Sequence, residues 1–120
     1  MNCKTFKYKK YGECYFNVGN YLHNKQSMAI SIISNCGERI TVATVNMNDY
    51  FYEPDTATIK NYSENAGMTE FLENLGIIEE VYSKELCHPN ALKTETIDYC
   101  RINIDKLKEY TNQFNYKWYI

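Results

Sequence analysis

The chain has 120 residues, 44% of them hydrophobic, and a formal net charge of −2. That length holds one domain with a core but not two, and the composition is globular rather than disordered. Near-neutral charge with only two arginines, Arg39 and Arg101, excludes a global field for nucleic acid or anionic lipid and disfavours a general phosphate reader.

In chain order, residues 4–11 interleave Lys4, Lys7, Lys9 and Lys10 with Phe6, Tyr8 and Tyr11. Cations between rings can hold single-stranded nucleic acid. The alternative is an edge strand whose rings pack inward while its lysines block edge-to-edge pairing, and the overall charge favours it. Residues 13–18 predict a short strand with Cys14, Phe16 and Val18 on one face, broken by Gly19 and Asn20. A polar loop around His23 follows.

Met28–Ser34 is almost continuously apolar, as a central strand covered on both faces requires. Asn35, Cys36, Gly37 and Glu38 form a turn, with Gly37 at the left-handed position of a bulged hairpin. Residues 39–47 are the partner strand, rich in β-branched side chains. Alternation puts Ile40, Val42 and Thr44 on one face and Thr41, Ala43 and Val45 on the other.

Residues 48–55 hold three consecutive aromatics, Tyr50, Phe51 and Tyr52. Successive strand side chains point to opposite faces, so the three cannot share one core. Either they offer a contact surface, as tyrosine-rich loops do, or the loop caps the open end of the sheet. Residues 56–60 are a further strand with Ala57 and Ile59 inward.

Asn61, Tyr62, Ser63, Glu64 and Asn65 read as a helix entry, with Ser63 or Asn65 capping and Glu64 favoured by the dipole. Met68, Phe71, Leu72 and Leu75 then form one apolar stripe. Gly67 lowers helix propensity by about 1 kcal/mol, so either the first turn is loose or the helix starts only at Met68. Gly76 stops the helix and Ile77 packs back over it.

A strand over 77–83 and a loop over 84–94 follow. Thr96–Ile102 alternates as a half-buried strand, with Ile97 and Tyr99 opposite Asp98 and Cys100. Asn103 caps a last helix carrying Ile104, Leu107, Thr111 and Phe114 on one stripe. The tail is aromatic at Tyr116, Trp118 and Tyr119, and either docks on the sheet or meets another chain. The fold class is therefore α+β: a single domain over 1–120, with a mainly antiparallel sheet of five to six strands, one central amphipathic helix and a C-terminal helix.

The chemistry is sparse. No run of about 18 apolar residues exists to span a membrane. Residues 1–13 lack the apolar core of a signal peptide, so a cytoplasmic protein is expected. Five cysteines without a Cys-x-x-Cys pair argue against a disulfide framework or a zinc ribbon, and for reduced thiols. Cys87 and His88 are adjacent, but adjacent side chains in an extended chain diverge and no third residue is placed to orient the imidazole. The five glycines are spread singly, so no phosphate loop exists. No catalytic residue, metal ligand or cofactor is expected, and a non-enzyme is favoured.

Residues 43–47 (ATVNM), 59–67 (IKNYSENAG) and 75–77 (LGI) resemble a family of small proteins of unknown function, carried on conjugative elements, plasmids and phages of Gram-positive bacteria. The resemblance covers residues 15–102 and brings no catalytic residues with it. It implies a mobile-element protein in the cytoplasm of a bacterial host, where such proteins often block host machinery, CRISPR effectors included. The expected function is thus protein–protein binding, with Tyr50, Phe51, Tyr52 and Asn61, Tyr62, Ser63, Glu64 and Asn65 as contact surface. Trp118 and Tyr119 are a second or homodimer patch. A small-ligand or nucleotide sponge and a single-strand binder are the alternatives.

Overall fold

A computed structural model describes residues 3–47 and 52–118. Among these lie β1 (Phe6–Lys7), β2 (Glu13–Asn20), β3 (Met28–Ser34), β4 (Arg39–Val42) and β5 (Thr56–Asn61), followed by α1 (Met68–Asn74). β6 (Ile78–Leu86), β7 (Thr96–Ile102), α2 (Ile104–Glu109) and β8 (Thr111–Phe114) complete the order. The fold is α+β and mostly antiparallel, but its strands form two sheets rather than one. One sheet runs β1-β2-β3-β4 with β8 also paired to β2; the other runs β5-β7-β6.

The two sheets are joined by a strand that changes partner. Ala43 N donates to Ile30 O on β3 at 2.7 Å, and Val45 N donates to Thr58 O on β5 at 2.9 Å. The continuous strand expected over 39–47 therefore ends at Val42 and bends at Ala43, after which Thr44 bridges Ile59. β-Branched residues favour extended backbone whichever neighbour supplies the ladder, so propensity cannot reveal the switch. The expected alternation fails at the same place, since Ala43 and Thr44 are both buried.

One core lies between the sheets. It takes Cys14, Phe16 and Val18 from β2, as expected, with Met28, Ile30 and Ile32 from β3. Ala57 and Ile59 of β5, Met68 and Leu72 of α1, and Leu107 of α2 close it. α1 starts at Met68 and ends on a reciprocal pair: Ile77 N donates to Leu72 O and Gly76 N to Glu73 O, both at 2.9 Å, with Gly76 at φ 81°. That is the glycine-terminated helix end the sequence predicts.

Three boundaries differ from expectation. β2 continues through Gly19 and Asn20, because β3 pairs with it to Met28 and Asn20 clasps the tail: its amide donates to Lys117 O and accepts from Lys117 N. β6 runs to Leu86 rather than Ser83, since β7 offers a ladder as far as Thr96. The last helix stops at Glu109, and Thr111 and Phe114 belong to β8 instead. β1 covers only Glu13 and Cys14 on that edge of β2, leaving Phe16, Asn17 and Val18 for β8 to pair in parallel. An open ladder beside a β-branched Thr111 outweighs the helical stripe.

β7 is covered on both faces rather than one. Asp98 and Cys100 are fully buried toward the helices, while Ile97 and half-buried Tyr99 lie under other side chains behind. Burial raises the Cys14 thiol pKa, and burial with the Asp98 charge pushes Cys100 up to about 12. Cys36, at the hairpin tip, is exposed.

Two outcomes are expected. Replacing the fully buried Leu72 by alanine lowers unfolding free energy by about 2–5 kcal/mol in urea titration. Brief iodoacetamide treatment at neutral pH, read by peptide mass spectrometry, labels Cys36 first and spares Cys14 and Cys100 until denaturant is added.

Candidate functional site

Asn61, Tyr62, Ser63, Glu64 and Asn65 divide into side chains that fasten and side chains that project. Asn65 is 1% exposed; its amide donates to Val42 O at 2.7 Å and its carbonyl accepts from the Thr41 hydroxyl at 2.7 Å. Asn61 accepts from Thr69 N at 3.1 Å and donates to the Thr96 hydroxyl at 3.2 Å. Between these anchors, Ser63 and Glu64 are exposed and Tyr62 is half-buried. Ser63 holds φ 58°, a left-handed conformation that non-glycine residues avoid. The segment is a 3-10 turn rather than the first turn of α1, and neither Ser63 nor Asn65 caps that helix.

Residues 8–12 meet this turn. Phe6 and Tyr8 are buried, and Tyr8 meets Phe71 of α1 edge-on at 5.3 Å between centroids. A second 3-10 turn, Lys9–Tyr11, then carries Lys9 at φ 48°. The Lys9 ammonium donates to Glu64 O at 2.7 Å, so two strained non-glycine residues brace one corner. Strain of this kind persists only where surrounding structure holds it, and it clusters at sites that act on something else. Tyr11 is 43% exposed at the rim, and a groove of about 570 Å³ opens beside Tyr62 toward Tyr21 and Arg39.

The charges of the corner largely answer one another. Lys60 pairs with Glu64 and lies over the Tyr62 ring, 5.3 Å from its centroid. The Lys60 ammonium, then the Glu64 backbone N–H and the Ser63 hydroxyl, hold the Glu64 carboxyl down at about 2.

The other sequence-expected contacts fare differently. Tyr52 is 7% exposed, which removes it from a contact surface. Its hydroxyl accepts from Met47 N at 3.1 Å and meets the Thr58 hydroxyl. Glu53 N donates to the Tyr99 hydroxyl at 3.2 Å and Asp55 N to the Tyr116 hydroxyl at 3.3 Å. Residues 52–55 thus lie against the outer face of β5 and β7 rather than over an open end of the sheet, and residues 48–51 of that loop lie outside the described residues. Asn65 likewise leaves the contact set, because it is buried as an anchor. Tyr50, Phe51 and Tyr119 lie outside the described residues, and Trp118 is half-buried after the Asn20 clasp.

A second polar feature escaped the sequence. Asp98 Oδ2 accepts from the Thr69 hydroxyl at 2.6 Å and pairs with Lys84 at 3.0 Å, while its buried Oδ1 has no partner among the described residues. Lys84 and Thr69 also line a cleft of about 550 Å³. Strand pairing of Lys84 opposite Asp98 brings them together, and that pairing was invisible while residue 84 stood in a loop. Cys87 is half-buried and its N–H donates to Glu95 O, while His88 is exposed in the next turn. Among the described residues, no group of three or more His, Cys, Asp or Glu converges to hold a metal.

Asn65→Ala removes both anchor bonds and is expected to cost about 1–3 kcal/mol in urea denaturation. A carboxylate held low stabilises fully above its ordinary value of 4.5 and loses that contribution as pH falls toward about 2. NMR titration should therefore place the Glu64 midpoint near 2, and Lys60→Met should return it toward 4.5. Comparison of the chain with protein-family models, with curated proteins and with solved structures finds no match in any of the three.

Proposed function

We propose that this chain is a non-catalytic binding protein that grips a protein partner at the corner formed by residues 8–11, 39–41 and 60–64. The observation that carries the reading is the brace itself, in which Lys9 and Ser63 are strained and the Lys9 ammonium donates at 2.7 Å to O of Glu64, the residue after Ser63. A preformed, outward-facing turn loses little entropy on binding, which is where much of an interface's affinity is otherwise lost. Tyr11 and Tyr62 supply the rigid aromatic area that recurs at energetic centres of interfaces. The resemblance of residues 43–47, 59–67 and 75–77 to mobile-element proteins supports host machinery as the partner, a defence complex such as a CRISPR effector among the candidates.

Single-stranded nucleic acid is the weaker reading of the same lysines. Lys9 and Lys60 are engaged within the chain, and Tyr8 is buried and edge-packed rather than open for stacking. A small-ligand reading has its own observation: Asp98, held by the cleft-lining Thr69 and Lys84, has a buried Oδ1 with no hydrogen-bond partner among the described residues. Thermal-shift screening with nucleotides and amines tests it, a ligand-linked rise in Tm being the supporting result.

The partner reading is tested by photo-crosslinking in extracts of a Gram-positive host. A photoreactive phenylalanine at position 62 or 11 should give a discrete protein adduct, and one at exposed Glu85 of β6 should not. Tyr62→Ala should weaken capture about 30-fold, the effect of about 2 kcal/mol at an interface centre. Equal adducts from all three positions, or unchanged capture by the variant, would overturn it.

A further inference from the structure

We infer that the segment gripped at this corner is acidic and inserts one large apolar side chain beside Tyr8. The inference rests on the partner reading and names the chemistry of the partner. A hollow of about 160 Å³ lies between the first turn of α1 and the N-terminal lysines, walled by Tyr8, Met68, Phe71 and Ala66. Gly67 opens it: at φ 88° the position requires glycine, and no atom lies within 4 Å of where a Cβ would stand. The hollow is well below the roughly 300–1,000 Å³ of a small-molecule site, so it suits one side chain rather than a whole ligand. Buried anchors of this kind carry most of the affinity at protein interfaces.

The sign of the partner follows from the rim. Residues 4–10 hold four lysines and no acidic side chain, in a chain whose net charge is −2; Lys4 is paired with Glu109 at 2.7 Å, which leaves Lys7, Lys9 and Lys10. Lys9 donates to Glu64 O, and Lys7 and Lys9 both line the hollow and are exposed. Among the described residues no acidic side chain lines the hollow, and nearby Glu64 is paired with Lys60. What remains is a local positive rim around an apolar socket. An acidic stretch carrying a leucine or phenylalanine is complementary to both.

A smaller hollow of about 90 Å³ shares Tyr8 and Lys9 as walls and reaches Ile40 on β4. Lys9 and Glu64 of the brace line it as well, and it takes a second, smaller apolar group from the same segment.

The probe is a short synthetic peptide of aspartates and glutamates with one central leucine, followed by amide NMR shifts on the full chain. Saturable binding is expected, with shifts centred on Tyr8, Gly67 and Phe71. Leucine→serine in the peptide, or Ala66→Trp or Lys7→Glu in the protein, should each weaken it at least about tenfold. Ala66 and Lys7 are exposed, so two independent variants report even if one perturbs folding. Equal binding of a lysine-flanked peptide, tighter binding of oligothymidylate, or shifts lying elsewhere would overturn the inference. Absence of peptide binding while position 62 still crosslinks a protein refutes this inference alone; loss of both refutes the partner reading as well.

Discussion

A buried carboxamide holds the architecture together where it would otherwise divide. Asn65 lies out of water, yet both ends of its amide are bonded to β4, through the Thr41 hydroxyl and the Val42 carbonyl. The chain leaves one sheet for the other immediately after Val42, so those two bonds secure the bend itself. A buried amide without partners costs several kcal/mol, and this one is satisfied only when β4, the 3-10 turn and the approach to α1 are all in place. Asn61 repeats the logic on the other flank, tying the same turn to α1 and β7.

What those anchors leave outside is consequently rigid. Tyr62, Ser63 and Glu64 are held as a short arch whose backbone strain is supported from beneath by two asparagines and from the side by Lys9. The N-terminal lysines and tyrosines read in sequence as a separate nucleic-acid candidate. In three dimensions they and the arch are one surface. The Lys60–Glu64 pair lowers the charge available to phosphate, and burial of Tyr8 leaves Tyr11 as the exposed ring of that run. The same arrangement leaves a hollow between Tyr8, Met68 and Phe71 with exposed Lys7 and Lys9 at its rim.

The tyrosines illustrate how one residue type serves opposite ends. Tyr52, Tyr99 and Tyr116 place rings against β5 and β7 and turn their hydroxyls to the backbone and threonines of residues 47–58. Tyr11 and Tyr62 keep part of their rings at the surface. The amphipathic ring permits either role, and only the presence of backbone donors nearby separates them.

Local signals were legible wherever they were complete within a few residues. The hairpin of Met28–Ser34 with its Gly37 turn, the α1 stripe and its Gly76 stop, the Asn103 cap and the inward faces of β2 and β5 all follow from periodicity and φ preference. Decisions that depended on an unoccupied ladder did not. Thr111 and Phe114 became a strand because β2 had a bare edge, and β4 ended early because β5 offered a new partner. Residues 84–86 extended β6 because β7 was long enough to receive them. The site divided in the same way: the sequence marked the 61–65 segment and the lysine–tyrosine run separately. Their union at Lys9 and Glu64, and the burial of Tyr52 and Asn65, came from tertiary contact alone. Hydrogen bonds across many tens of residues leave no periodic trace in the chain that makes them.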